Sequence, residues 1–329
     1  MTATSSDPPT SPLARPEMPT LAMATSKVSR SYQRIARWAL GLALALVTLA
    51  AVASLFNGLK RTLSIGHTTV NIATTVAAIA FALALLVRLY RIMRRPERVW
   101  YESRSLTEQA KSLAWTYAVG GSPFAKSTII GDAQRESAED DFARTLQGLV
   151  EEATRRAVPI GLPRKGTPVR DITEWMATTR RGSPAERARI YGELRIGDQQ
   201  RFYDRRVDRY ARIARRWNLA LFALEGAGVA AALLRALGVI HLDLIGVAGT
   251  LAAAGTAWLQ FNQFSSLSSV YAAMEYKLAR FARRCAESSW TEEAWATFVR
   301  EVEDLLGDEH SSWRQNLKAQ ESGSSKLLP

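Results

Sequence analysis

Glu225 is the side chain whose type and position point most directly to chemistry. It is an acidic residue inside an otherwise apolar stretch, 218–234. A carboxylate inside a membrane span is costly unless it faces water, a partner or the headgroup region, so it is a functional candidate by default. Two interpretations stay open: Glu225 lines an ion path, or its side chain reaches toward the cytosolic headgroups.

Two further sets of residues could serve a pore or the packing of helices. Asn71 and Thr74 make one end of the apolar stretch 68–87 polar, as pore lining or as interhelical hydrogen-bond partners. Gly249 and Ala253 belong to a row of small residues spaced by four. Such rows let helices approach closely, either within one hairpin or between subunits around a pore.

Trp295, Phe298 and Val302 lie at helical spacing near the end of the chain. They indicate a strongly amphipathic helix. Its apolar face either packs against a neighbouring cytosolic helix or binds a partner protein.

No catalytic motif accompanies these candidates. The chain lacks GxxxxGK(S/T), GxGxxG, GxSxG and HExxH patterns. Cys285 is the single cysteine, and the three histidines are scattered, so no transition-metal spacing is recognisable. We therefore expect no enzyme activity, no catalytic residue, no cofactor and no metal.

Four apolar stretches must position these residues. They cover 38–56, 68–87, 218–234 and 244–261. Crossing a hydrocarbon core of about 30 Å takes roughly 20 helical residues, and none of the four alternates like a barrel strand. The sequence predicts an all-α integral membrane protein with two transmembrane hairpins and helical cytosolic extensions.

Basic residues set the orientation and explain the net charge of +12. They crowd the outer ends of both hairpins, whereas the two hairpin turns hold few. Lys and Arg beside a span resist translocation, so both termini are predicted to be cytoplasmic in a multi-pass protein of the cell membrane. The charge is accounted for by anionic headgroups, and no nucleic acid is expected as a partner.

The segments between the spans suggest five regions. We predict a disordered cytosolic tail over 1–29, a first domain over 30–157, a linker over 158–185, a second domain over 186–318 and a disordered tail over 319–329. Ser105 and Glu108 suggest a capping box at a helix break. Ser183, followed by Pro184, indicates a helix start.

Two sets of loosely spaced residues carry a family resemblance. In the second half these are Tyr191, Arg195, Asp198, Gln199, Phe202, Tyr203, residues 257–260, Tyr271, residues 275–278, Phe298, Val299, Glu303, Glu309, His310 and Trp313. In the first half they are Trp100, Arg104, Glu108, residues 111–113, Trp115, Tyr117, Ala118, Pro123 and Phe124. Their order resembles two subtypes of the SLATT family fused in tandem over roughly residues 30–315. Phe202 stands where many members have Trp.

The resemblance implies a membrane effector of bacterial conflict systems, a group often encoded near nucleotide-signal synthases or sensors. Such an effector would form homo-oligomers and open pores when a nucleotide-linked signal or partner activates it. An alternative function comes from the residues themselves: a membrane-anchored scaffold that recruits cytosolic partners through its helical region.

Overall fold

The computed structural model describes residues 14–56, 62–65, 68–126, 132–162, 170–240, 244–287 and 289–307. The described chain is helical apart from one short antiparallel pair, which confirms the predicted all-α class. The pair joins β1 (Thr62–Ile65) to β2 (Thr68–Asn71), with Leu63 opposite Val70. It connects the first two membrane-spanning helices.

The helices follow the same order in both halves of the chain. The first half contains α1 (Thr20–Leu55), α2 (Ile72–Arg94), α3 (Pro96–Val119) and α4 (Asp132–Arg155). The second contains α5 (Glu174–Arg181), α6 (Pro184–Tyr191), a π-helical turn (Gly192–Ile196), α7 (Gly197–Ala236), α8 (Leu244–Asn262), α9 (Phe264–Glu287) and α10 (292–307). Each half has a long helix, a hairpin to a second span and two helices after that span, and the second half adds the short helices α5 and α6 before its long helix.

The four predicted spans lie within α1, α2, α7 and α8. Within the described residues, four helical stretches are long and apolar enough to cross a membrane. Their apolar side chains point outward, as in Phe222, which is 76% exposed, and Phe81, which is 55% exposed. Large exposed apolar faces are unfavourable in water and suit a lipid environment. The chain is therefore a multi-pass membrane protein.

Each second span ends at a residue with a left-handed backbone. Arg95 has φ 41° and Gln263 has φ 50°. The break at Arg95 comes from Pro96, because the residue before a proline disfavours the α conformation. The break predicted at Ser105 is wrong, since Ser105 lies inside α3 and its Oγ accepts from Gln109 Nε2 at 2.9 Å. The predicted start at Ser183 is confirmed: Ser183 Oγ accepts from the backbone N–H of Glu186 at 3.2 Å.

Two compact units, each built from both halves of the chain, make up the fold. The membrane unit consists of Val28–Glu102 and Arg201–Tyr276. The helical unit consists of Met1–Lys27, Ser103–Gln200 and Lys277–Pro329. The units cut across the predicted domains over 30–157 and 186–318, whose boundaries stay predictions.

Helix α1 begins inside the predicted N-terminal tail. The tail prediction is wrong for residues 20–29, because Leu21, Ala22 and Thr25 are buried in the helical unit. Thr107 Oγ1 donates to Thr25 Oγ1 at 2.9 Å, and Thr20 exchanges hydrogen bonds with the backbone of Arg170. The Pro- and Ser-rich composition predicts disorder, although these few side chains are enough to order the segment by packing in the core.

A core of helices α3, α4 and α5 fills the first part of the helical unit. Tyr117, Phe124 and Phe142 form an aromatic cluster with ring centroids 4.8–5.9 Å apart. Met176 of α5 is fully buried beside this cluster in the same core, inside the stretch 158–185 predicted as a linker. The part of that stretch over Glu174–Arg181 is therefore a packed helix.

Candidate functional site

Glu225 lies in α7 with its carboxylate side chain exposed on the membrane unit. No described residue pairs with it. The next residue, Gly226, has open space where a Cβ would stand. Glu225 is thus a lone acidic group on an outward face of a span.

The predicted small-residue row of α8 does not hold the second hairpin together. Gly249 has nothing within 4 Å of an added Cβ, and Ala253 is exposed. The close approach between α7 and α8 occurs instead at Gly255, where an added Cβ would stand 2.6 Å from Leu221 Cδ2, and at Gly228, where it would stand 3.1 Å from Ala248 Cβ.

These two glycines were missed because they fall outside the regular row of four. Their signal in the sequence is only that each is a glycine within an apolar span. The row containing Gly249 and Ala253 is left on the outer surface of the hairpin.

Asn71 has a local structural role. Its Oδ1 accepts from the backbone N–H groups of Ala73 at 3.0 Å and Thr74 at 3.2 Å, and so caps α2. Thr74 is exposed in the first turn of the same helix. The membrane candidates therefore lie on three helices: Asn71 and Thr74 on α2, Glu225 on α7, and Gly249 and Ala253 on α8.

The predicted partner face of α10 is wrong. Trp295, Phe298 and Val302 are all 0% exposed, because the helical unit covers them. Trp295 packs edge-on against Tyr191, with ring centroids 5.8 Å apart. The alternative interpretation of these residues, packing against neighbouring helices, is the one that holds.

The carboxyl end of α3 is clamped by donors from three other helices. Val119 O accepts from Arg187 Nη1 and from Trp295 Nε1, both at 2.7 Å. Arg180 donates to Tyr117 O at 2.7 Å and to Phe124 O at 3.0 Å. Arg187 and Trp295 thus satisfy the last carbonyl of α3, and Arg180 ties the end of this helix to the turn that follows it.

The turn after α3 docks directly on α10. Gly120 has φ +72°, a conformation that favours glycine. The N–H of Ser122 donates to Ala296 O at 3.1 Å. At Gly121 an added Cβ would stand 2.5 Å from Val299 Cγ1, so only glycine fits there without a shift.

A second buried network centres on Glu303 of α10. Arg195 donates to both its carboxylate oxygens, at 2.9 and 2.7 Å, and Tyr191 OH donates to Oε1 at 2.8 Å. Arg195 lies in the π-helical turn, a distortion that frequently marks functional sites. Burial and the Glu303 carboxylate raise the pKa of Tyr191. Burial opposes the charge on Arg195, but Glu303 outweighs it and raises the pKa of the guanidinium.

Lys126 lies at the edge of the first network. Its Nζ donates to Arg180 O at 3.0 Å. Burial lowers the pKa of Lys126, and the charges of Arg187 and Arg180 lower it further, against the opposing effect of Glu292. Glu292 Oε1 accepts from Arg187 Nη2 at 2.5 Å. This group of cations is therefore held by internal acceptors.

Cys285 is buried against the same helices. Its Sγ lies 3.5 Å from Ala188 O, and burial raises the pKa of the thiol to about 11. A thiol in this state is a poor nucleophile, because the thiolate is the reactive form. Neither network nor the cysteine thus offers an activated nucleophile; both networks hold helices together.

These features define a class: a helical membrane protein with two hairpins and a helical unit in which buried hydrogen bonds join both halves of the chain. Residues 19–188 match SMODS and SLOG-associating 2TM effector domain 3, and residues 191–313 match SMODS and SLOG-associating 2TM effector domain 1. The chain therefore belongs to the SLATT family, with two subtypes in tandem as predicted, and is a membrane effector. No curated protein and no solved structure matches it.

Proposed function

We propose that this membrane effector acts by opening a pore in a bacterial conflict system. The observation that carries the proposal is Glu225, a lone carboxylate on the exposed face of a span. A charge at that position needs water, a partner or the headgroup region around it. In an assembly of several copies, the face bearing Glu225 would surround a water-filled path.

The outer row on α8 supports such an assembly. Gly249 and Ala253 leave that surface shallow, and the close approach inside the hairpin uses Gly255 and Gly228 instead. Small residues permit close helix contact in lipid. The row is thus available for a second copy, and the active form is a homo-oligomer in this proposal.

The helical unit would hold the spans in the closed state. Its buried pair of Arg195 and Glu303 joins α10 to the segment that continues into α7. An activating signal must bind the open state better than the closed state. We assign that signal to a separate nucleotide-signal synthase or sensor protein, or to a nucleotide-linked ligand of the helical unit. The effector itself would catalyse no reaction.

In this proposal, the orientation of the chain in the membrane is inferred from the distribution of basic residues. Lys and Arg flank the ends of the hairpins away from their turns. Both termini and the helical unit would be cytoplasmic, in the inner membrane of the cell. The scaffold alternative loses its named docking face, since Trp295, Phe298 and Val302 are buried.

The test compares four chains expressed in a bacterium from a tightly controlled promoter, with a voltage-sensitive dye. They are the natural chain, Glu303→Gln, the exposed control Glu301→Gln, and Glu303→Gln combined with Glu225→Gln. Loss of the buried pair is expected to release the spans and depolarise cells more than the control does. Adding Glu225→Gln is expected to reduce that depolarisation.

Purified chains in vesicles then test the path itself. With Glu303→Gln, cation flux should exceed anion flux, and Glu225→Lys should reverse that preference because the charge facing the path changes sign. Charge-matched Glu193→Gln should leave selectivity unchanged. The pore would be contradicted if cells stayed polarised with both the natural chain and Glu303→Gln. It would also be contradicted if ion selectivity were the same with Glu225→Lys as with glutamate at that position.

A further inference from the structure

The membrane unit contains a long open groove whose lining includes neither Glu225 nor the outer row of α8. Its volume is about 1260 Å³, and it lies between α1, α2 and α8. Ordinary small-molecule sites are about 300–1,000 Å³ and mostly enclosed. The groove is therefore suited to an extended, flexible ligand.

One face of α1 gives the groove two chemically different ends. Ser31, Arg34 and Arg37 line one end, and Gly41, Leu42, Ala45 and Leu46 line the rest. On the opposite wall, Leu83 and Leu86 of α2 face the apolar part, and Tyr90 lies four residues beyond Leu86. The groove is thus basic and hydroxylated at one end and apolar along its length.

The two guanidinium groups at the mouth lack counter-charges. Neither Arg34 nor Arg37 forms an ion pair or hydrogen bond with a described residue. By contrast, Arg91 at the same end of α2 pairs with Glu97 at 2.8 Å. An anionic ligand at the mouth would supply the charge that the described residues do not.

The length of the groove matches one leaflet of a bilayer. From Ser31 to Leu46 the helix rises roughly 22 Å at 1.5 Å per residue. Half of a hydrocarbon core of about 30 Å, together with one headgroup region of about 5–8 Å, gives a similar length. Trp38, which is 78% exposed, lies next to Arg37. Tryptophan is enriched at the boundary between headgroups and hydrocarbon.

We propose that this groove binds an anionic phospholipid, with the phosphate between Arg34 and Arg37 and an acyl chain along Gly41, Ala45 and Leu86. A helix from a second copy fits less well. The corresponding membrane end of this chain is itself rich in arginine, so a neighbour would bring like charge to the mouth. The site is independent of whether the protein conducts ions.

Native mass spectrometry of the full chain in detergent tests the site. Phosphatidylglycerol and phosphatidylcholine of equal acyl length are added, and bound lipid is counted for each. The natural chain should retain phosphatidylglycerol preferentially. In Arg34→Gln/Arg37→Gln that preference should fall roughly thirtyfold, because each basic residue near the headgroups changes affinity about fivefold.

Two further variants locate the lipid. Arg88→Gln/Arg94→Gln removes the same charge from exposed positions of α2 outside the groove, and should keep the preference. Ala45→Phe fills the apolar part and should weaken retention of both lipids. Equal retention of the two lipids by the natural chain, an equal loss in the Arg88/Arg94 control, or full retention by Ala45→Phe would each overturn the proposal.

Discussion

Two carboxylates and two glycines have opposite environments in the helical unit and in the membrane unit. In the helical unit, the Glu303 carboxylate is buried and accepts from Arg195 and Tyr191, and Gly121 is in tight contact with Val299. In the membrane unit, Glu225 is exposed and Gly249 faces open space. The glycine contrast belongs to these positions and not to whole units, since Gly148 of the helical unit also faces open space and Gly255 of the membrane unit is also in tight contact. The difference teaches that one chain pairs the Glu303 carboxylate, whereas Glu225 and the outer row of α8 are left to lipid or, in our proposal, to further copies.

The largest expected effect is on the buried ion pair. Glu303→Gln leaves the Arg195 guanidinium buried without a counter-charge, which typically costs about 3–5 kcal/mol. Urea unfolding of the detergent-solubilised chain, followed by tryptophan fluorescence, measures the free energy of unfolding. Glu301→Gln is the matched control on the same helix, since its exposed pair with Arg284 is worth about 0–1 kcal/mol. If both variants lost the same free energy of unfolding, the Glu303 carboxylate would not have the special role that its burial implies.

The next effect concerns glycine contacts in the helical unit. Gly121→Ala places a Cβ against Val299 and should lower the free energy of unfolding by about 1–3 kcal/mol. Gly148→Ala is the control, because nothing lies within 4 Å of its added Cβ inside α4. It should stabilise by up to about 1 kcal/mol. Partial rescue of Gly121→Ala by Val299→Ala would identify the contact, and additive losses would contradict it.

In the membrane unit, the comparison is between substitutions at two glycines of α8, Gly255 and Gly249. Gly255→Leu should destabilise the second hairpin, since Leu221 and Trp217 occupy that side. Gly249→Leu should leave the melting temperature in detergent nearly unchanged. If the outer row contacts another copy, Gly249→Leu should reduce cross-linked oligomers in membranes while Gly255→Leu also lowers the yield of folded chain. If Gly249→Leu destabilised the hairpin and Gly255→Leu did not, the face of α8 that contacts α7 would be the one bearing Gly249.

The smallest effect is the alkaline behaviour of Cys285. Because burial raises the pKa of the thiol from its ordinary value of 9.0 to about 11, the folded state holds that proton more tightly. Its contribution to stability is complete below about pH 9 and is lost as the pH rises toward 11. The free energy of unfolding should therefore fall less steeply over this range in Cys285→Ala than in the natural chain. If the free energy of unfolding had the same slope against pH in both chains, folding would not raise the pKa of the thiol.

Much of the fold could be predicted because its main signals are local. Apolar length predicts the spans in α1, α2, α7 and α8, and Ser183 with Pro184 predicts the start of α6. The break at Arg95 was missed because the Ser105 spacing resembled a cap, although Pro96 gave a stronger steric reason. Leu21 and Ala22 show that a few buried side chains are enough to order a stretch with a disordered composition.

The candidate site was less predictable because its contacts are long-range. The hydrogen bond from Trp295 to Val119 joins residues 176 positions apart. An amphipathic face predicts that something covers it, but not whether the cover is the same chain or a partner. The same limit applies to Gly249 and Gly255, because only the packing shows which glycine faces Leu221.

The docking of α10 on the turn after α3 also has a consequence for biosynthesis. Gly121 and Val119 leave the ribosome long before Trp295 and Val299, and the spans in α7 and α8 are made in the interval, after those in α1 and α2. A nascent chain therefore has its hairpins ready for insertion while the pocket for α10 is still empty. A chain that is released before α10 is made would therefore contain all four spans, but its helical unit would lack the contacts that Trp295 and Val299 make with the end of α3 and the turn after it.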